Sequence, residues 1–205
     1  MAIKDRKERD KLDRRKLIIE SATKLFLKEG YEKTSIRNIA DDIEYSPATI
    51  YLYFKEKDEI FFQIHEQGFM LLAKDFNQFE LLKDPFERLS QLGHTYLKFG
   101  INNPDYYDLM FIMRAPLNEI SCHEKWDAGD GAFQVLIKTV QECIDQKLIA
   151  KEDAHTAAMT IWSFVHGMVS LYIRERFKSL IPENDITTQE RLFTSLKYFL
   201  KVLRA

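Results

Sequence analysis

The chain is poor in the residues that break or staple a fold. Its 205 residues include seven glycines, five prolines and two cysteines. So few turn formers disfavour an all-β protein built from many tight turns and favour long helices. Cys122 and Cys143 lack a CxxC spacing, which excludes a disulfide framework and fits a reducing compartment. The N-terminus is charged and has no apolar run of signal-peptide length. No stretch approaches the roughly 18 uncharged apolar residues of a membrane span. Strong charge of one sign is also missing: 30 Lys+Arg against 32 Asp+Glu leave a net charge of −2, which excludes a uniformly basic nucleic-acid coat. There is no Gly-rich phosphate loop, no HExxH, no GxSxG and no catalytic pairing of carboxylates, so nothing indicates an enzyme. With 45% hydrophobic and 30% charged residues, the composition is that of a globular, cytoplasmic, all-α protein without membrane association.

The near-neutral average conceals an asymmetry. Residues 1–57 hold 14 Lys+Arg and 11 Asp+Glu, and the remainder holds 16 and 21, so a +3 segment precedes a −5 segment. Much of the positive charge lies in an N-terminal arm, where Lys4, Arg6, Lys7, Arg9, Lys11, Arg14, Arg15 and Lys16 face Asp5, Glu8, Asp10 and Asp13.

Apolar spacing predicts about nine helices. Leu17, Ile18, Ala22, Leu25 and Phe26 give one face of a helix from Asp13 to Glu29, which Gly30 stops. Thr34 or Ser35 caps a short second helix with Ile36, Ile39, Ala40 and Ile43 inward. Ser46-Pro47 then starts a third, with Ile50 and Phe54 inward. A fourth, from Lys57 or Asp58 to about Phe79, is long enough to connect two domains. Asp84-Pro85 and Asn103-Pro104 open two more. Arg114 to Asp130, with Pro116 and Gly129, reads as an irregular loop. Helices follow from about Gly131 to Gln146, Asp153 to Phe177 and Thr188 to Leu203. Two short helices separated by about three residues form a helix-turn-helix pattern, in which the later one can enter a DNA major groove.

The segment TSIRNIADDIEYSPATIYLYFKEKDEI, Thr34 to Ile60, closely resembles the signature of TetR-family transcription regulators. The resemblance implies an N-terminal DNA-binding domain, residues 1–56, and a helical ligand-binding and dimerisation domain, residues 57–205. It makes Thr49, Tyr51 and Tyr53 groove-facing and backbone-facing residues, with Pro47 and Ala48 near base edges. Lys57 matches a phosphate-contacting lysine at a helix start. Arg37 matches a position that reaches guanine in some members, a contact that suits an arginine fork. Lys33 and Ser35 become phosphate candidates, and the arm from Lys4 to Lys16 a backbone or minor-groove element. One departure stands out, because Glu44 and Tyr45 occupy a turn where the family usually has Gly and a small aliphatic residue. A non-Gly residue at positive φ costs about 1 kcal/mol.

A second resemblance lies in AAMTIWSFVHGMVSLYI, where Trp162, His166 and Gly167 are similar to the Trp…His-Gly pattern of one subgroup of TetR-like C-terminal domains. Spacing puts Trp162 and His166 on one helix face, and Gly167 permits another helix to approach. His166 is then either a satisfied core or interface histidine or part of the wall of a cavity for an apolar or amphipathic effector. Tyr96, Phe99, Tyr107, Phe111, Trp126, Phe133 and Trp162 are the further lining candidates. Metal sensing through His94, Cys122, His123, Cys143 or His155 is a third possibility, but the spacing is too loose for a zinc site, and no metal or cofactor is expected.

The resulting expectation is a ligand-responsive repressor that binds a palindromic double-stranded operator as a homodimer, paired through its last two long helices. A regulator without a small-molecule ligand is the alternative within that class. An all-helical protein–protein interaction adaptor, using the helix-turn-helix only as structure, is the rival outside it.

Overall fold

The computed structural model describes residues 2–113, 127–178, 180 and 186–205. Among them are nine helices and no strand: α1 (Ala2–Glu29), α2 (Ile36–Asp42), α3 (Pro47–Tyr51), α4 (Lys57–Asn77), α5 (Pro85–Asn102), α6 (Pro104–Phe111), α7 (Asp127–Asp145), α8 (Ala154–Ile173) and α9 (Thr188–Leu203). Most of the predicted boundaries hold, because local caps set them. Ser35 and Asn38 form a reciprocal capping box on α2, Ser46 caps α3 ahead of Pro47, Asp84 caps α5 ahead of Pro85, and Thr187 with Glu190 boxes α9.

Three boundaries differ from the sequence reading. Helix α1 begins at Ala2 instead of near Asp13, so the basic arm is helical. It contains no Gly or Pro, and its Ala, Lys, Arg, Glu and Leu are good helix formers that outnumber Asp5, Asp10 and Asp13. Helix α7 begins at Asp127, which puts Gly131 inside it; residues 114–126 of the expected loop lie outside the described residues. Helix α8 ends at Ile173 because Glu175 turns left-handed at φ 55°, and the Glu175 and Arg176 amides fold back onto the Tyr172 and Leu171 carbonyls.

Helix α8 corrects a further expectation. Its 20 residues contain no Asp, Glu, Lys or Arg, so by length and composition alone it could cross a membrane. Among the described residues it is the one helix that meets this test; one face of it, with Ala158, Ile161, Val165 and Val169, is buried where it packs against α5 and α7, and the rest of its apolar surface stays open.

The chain forms two compact units. The first comprises the described residues of Met1–Gly68 and Asp105–Trp126. Its core brings together Ile18, Ala22 and Phe26 of α1, Ile39 and Ala40 of α2, Ile50 of α3, Ile60, Phe61 and Ile64 of α4, and Leu109 of α6. Phe26, Tyr31 and Phe61 meet edge to face or tilted, with centroids 5.1 to 5.6 Å apart. Helix α6 is held to α4 by His65, whose Nε2–H donates to the Leu109 carbonyl at 2.7 Å, and by the Tyr106 hydroxyl, which donates to Gln67 at 3.2 Å. The second unit comprises the described residues of Phe69–Pro104 and Asp127–Ala205. There α5, α7 and α8 pack mutually, with α9 against α5. Arg88 of α5 pairs with Glu142 of α7 and also donates to the Leu82 carbonyl at 3.0 Å.

Candidate nucleic-acid interface

Helix α3 has only five residues, too few to hold together by its own hydrogen bonds. It is fixed at both ends and on its inner face. Ser46 Oγ accepts the Thr49 N–H at 3.2 Å, and Ile50 and Phe54 are buried. That anchorage turns the opposite side outward: Ala48 is exposed, and Tyr51 and Leu52 keep 55% and 78% of their accessible surface. A tyrosine and a leucine so displayed beside a capped helix form a surface that can meet a flat or grooved partner.

The turn before α3 has the geometry its departure from the family pattern implies. Glu44 adopts φ 58°, and the Glu44 and Tyr45 amides return to the Asp41 and Ala40 carbonyls, closing α2. The end of α2 is tied to α1 by Asp42, which accepts from Lys24 Nζ at 2.6 Å and Ser21 Oγ at 2.9 Å. The Lys24 hydrogen bond, seconded by Ser21, lowers the Asp42 carboxyl below its ordinary value.

The other site candidates take different positions. Lys33 and Arg37 are exposed, just before α2 and in its first turn. Ser35 is exposed too, but its hydroxyl and amide are engaged with Asn38. The Thr49 hydroxyl lies 2.9 Å from that of Ser46. Tyr53 is half-buried, its carbonyl accepts from Arg15 Nη1 at 2.9 Å, and its phenol, with help from Tyr45, raises the Arg14 guanidinium above its ordinary value. Lys57 opens α4, but its ammonium donates to the Tyr31 carbonyl at 2.8 Å and sits 3.9 Å from the Tyr31 ring centroid. Burial lowers its pKa, opposed by Glu32. Asp58 next to it accepts from the Tyr31 hydroxyl. The first unit therefore exposes Lys33, Arg37, Ala48 and Tyr51 and engages Ser35, Thr49, Lys57 and the Tyr53 carbonyl in internal bonds. With Ile50 and Phe54 inward, periodicity leaves Leu52 on the outer surface beside Ala48, Thr49, Tyr51 and Tyr53, where the structure also has it, but the family resemblance assigns it no contact.

In the second unit, four of the cavity candidates meet. Trp162 Nε1–H donates to the Tyr96 hydroxyl oxygen at 3.1 Å, and the Tyr96 hydroxyl lies 3.2 Å from His166 Nδ1. The Trp162 ring is 5.7 Å from His166 and 5.8 Å from Phe133. Burial, and after it Arg174, lowers the His166 pKa, which favours a neutral imidazole able to accept the tyrosine proton. Phe99 is buried in the same unit. Tyr107 and Phe111 belong to the first unit, where their rings pair at 5.1 Å. Trp126, Cys122 and His123 lie outside the described residues. Among the described residues a Cβ on Gly167 would touch nothing within 4 Å, so none of them makes the close helix approach that Gly167 permits.

Among the described residues no group of three or more His, Cys, Asp or Glu could hold a metal ion. His94 Nδ1 lies 2.8 Å from the Ser90 carbonyl and its ring stacks on Phe193, while Cys143 is buried, with its thiol pushed up to about 12 by desolvation.

Comparison with known proteins gives consistent matches in both regions. Residues 18–64 match the family model described as "Bacterial regulatory proteins, tetR family", and residues 89–196 the model described as "Tetracyclin repressor-like, C-terminal domain". The HTH-type transcriptional regulator HbdR of Aromatoleum sp. (strain CIB) is 40% identical over 85 residues, which cover 41% of this chain and 37% of that protein. The chain spans about a third or less of the length of the first curated relatives it matches. Among solved structures, the TetR-family regulator PfmR of Thermus thermophilus aligns with TM-score 0.69 at 21% identity, over 90% of this chain and 97% of its own. The ketosteroid transcriptional regulator KstR2 of Mycobacterium tuberculosis aligns with TM-score 0.71 at 16% identity, over 94% and 95%. At these identities the structural likeness is one of fold.

Proposed function

The chain belongs to the TetR family of bacterial regulatory proteins, and from that premise we propose that it is a sequence-specific DNA-binding repressor whose reading head is the α2–turn–α3 unit. The observation that carries this reading is the five-residue, Ser46-capped α3, anchored by Ile50 and Phe54 and displaying Ala48, Tyr51 and Leu52 outward. In a major groove, Tyr51 contacts bases or phosphate, Pro47 and Ala48 approach base edges, Arg37 reaches a guanine edge, and Lys33 meets the backbone. Ser35, Thr49 and Tyr53 support these contacts through caps and internal bonds. Lys57 acts on phosphate from the start of α4, once its bond to the Tyr31 carbonyl is exchanged for the anion.

The working form is a homodimer paired through α8 and α9, because a palindromic operator presents its two half-sites about 34–36 Å apart on one side of the duplex. Exposed Met159 and Leu171 on α8 and Tyr198 and Val202 on α9 supply the apolar surface for that pairing. An apolar or amphipathic effector bound near Tyr96, Phe99, Phe133, Trp162 and His166 lowers operator affinity by favouring the state that does not fit DNA. Such a protein works where the chromosome lies, in the cytoplasm.

The test is a salt titration on a duplex that the protein itself selects from a random library, set beside a scrambled duplex. Binding weakens steeply with salt on both and is tighter on the selected one. Lys57→Ala lowers the log–log slope by about one unit and weakens both duplexes alike, whereas Tyr51→Ala narrows the gap between them. A protein that selects no sequence at any salt would sink the proposal and favour the adaptor. Native mass spectrometry of protein purified from cells tests the effector through a retained small molecule.

A further inference from the structure

We infer that Arg15 is the positioning residue of the reading head: its guanidinium locks the exit of α3 onto α1 and α4 and so sets the direction in which Tyr51 and Leu52 point. The inference rests on the DNA-binding reading above and goes beyond it, since the sequence alone places Arg15 in a basic arm that touches DNA directly.

Arg15 Nη1–H donates to the Tyr53 carbonyl at 2.9 Å, and Nη2–H donates to Gln63 Oε1 at 3.3 Å. The guanidinium carbon lies 4.3 Å from the centroid of the Phe54 ring, which is itself 1% exposed. Gln63 is oriented in turn by donating its own amide to Glu66 at 2.7 Å. One planar group from α1 thus grips the backbone just past α3, stacks on the aromatic that anchors it, and reaches α4. Lysine has neither the fork nor the flat face for this. Arg15 is half-buried, while its neighbours Arg14 and Lys16 are exposed, so its position is that of an internal tie.

The gripped carbonyl follows Tyr51 and Leu52 by one or two residues, in a link that is also held from the other side, where Lys55 N–H donates to Glu59 Oε2 at 2.7 Å. A single turn of helix has too little internal bonding to keep its own direction. Hydrogen bonds to base edges weaken steeply with misalignment. Loosening the tie therefore costs specific contacts and leaves the general attraction to phosphate intact.

The test uses the full chain, a duplex selected by the wild type from a random library, and a scrambled duplex. Arg15→Met is expected to lower affinity for the selected duplex at least about tenfold. Its affinity for the scrambled duplex and its salt slope stay at the wild-type values, and amide hydrogen exchange of residues 50–56 in the free protein becomes faster. Arg15→Lys, which keeps the charge, stays impaired. Gln63→Leu removes one of the two accepting groups and gives a smaller loss of the same kind, a readout that survives if Arg15→Met does not fold. A slope lower by about one unit with equal loss on both duplexes would make Arg15 a phosphate contact and overturn the inference. Full rescue by lysine, or unchanged affinity for the selected duplex with only thermal stability reduced, would overturn it as well. A wild type that selects no sequence marks the separate failure of the DNA-binding reading, and the inference falls with it.

Discussion

At Glu44 an ordinary L-residue sits at φ 58°, where the short path from α2 to α3 demands a left-handed turn. Nothing in the surrounding backbone requires a carboxylate there, and the residue is exposed. Glu44→Gly should therefore raise stability by up to about 1 kcal/mol in urea unfolding. It should also tighten DNA binding at low salt by removing a negative charge beside the proposed reading surface; weaker binding with unchanged stability would assign Glu44 a direct role. His65 makes a second prediction at this scale. It is 1% exposed, and burial holds its pKa down at about 4, against the bond to the Leu109 carbonyl, which acts in the other direction. The unfolded chain takes up a proton as pH falls through about 6.5, while the folded head does not until about 4. Folding then loses up to about 3 kcal/mol across that window and no more below it. His65→Gln, which can still donate to the carbonyl, should flatten this part of the pH–stability curve. A wild-type curve parallel to that of the variant would remove His65 as its cause.

For single helices, two glycines separate propensity from packing. Gly131 lies inside α7, where an added Cβ would meet nothing within 4 Å, and Gly68 lies inside α4, where the same carbon would run into the Met110 side chain. Gly131→Ala should stabilise the fold by up to about 1 kcal/mol through helix propensity alone. Gly68→Ala has the same propensity gain set against displacement of Met110, which is buried between α4 and α6, and overpacking of this kind costs about 1–3 kcal/mol. Thermal unfolding of the two variants should move in opposite directions. The long α1 carries a similar lesson. Its Lys- and Arg-rich start reads as an arm by charge, yet Arg15 turns inward to the Tyr53 carbonyl, and the helix runs unbroken from Ala2.

For the whole molecule, Met159, Leu171, Tyr198 and Val202 leave large apolar side chains on two neighbouring helices with 45% to 70% of their surface exposed. A monomer rarely leaves so much apolar surface on adjoining helices without use for it. Sedimentation should show a dimer at micromolar concentration, and Tyr198→Glu with Val202→Glu should yield a folded monomer whose operator affinity falls by orders of magnitude, because each half-site is then bound alone. A monomeric wild type would remove the pairing and with it the two-half-site operator.

What the sequence by itself determined is local. Ser46-Pro47 and Asp84-Pro85 mark helix starts through side chains within three residues of the amides they satisfy, Thr34 and Ser35 together bracket the start of α2, where the structure selects Ser35, and Thr34 to Ile60 carries the family signature at fixed spacings. The cluster of Trp162 and His166 was legible by the same rule, being one helical turn apart. Only the tertiary structure decided the rest, because it depends on contacts between residues far apart in the chain. Periodicity could not show that Tyr96, 70 positions earlier, joins His166, or that Leu109 closes the core of the head through His65. Nor could it show that Lys57 bonds to the Tyr31 carbonyl, or that one arginine of an apparent DNA-binding arm turns inward to hold the recognition segment in place. Charge and spacing fix which side chains are available to a helix face, whereas packing decides which of them remain free to meet a partner.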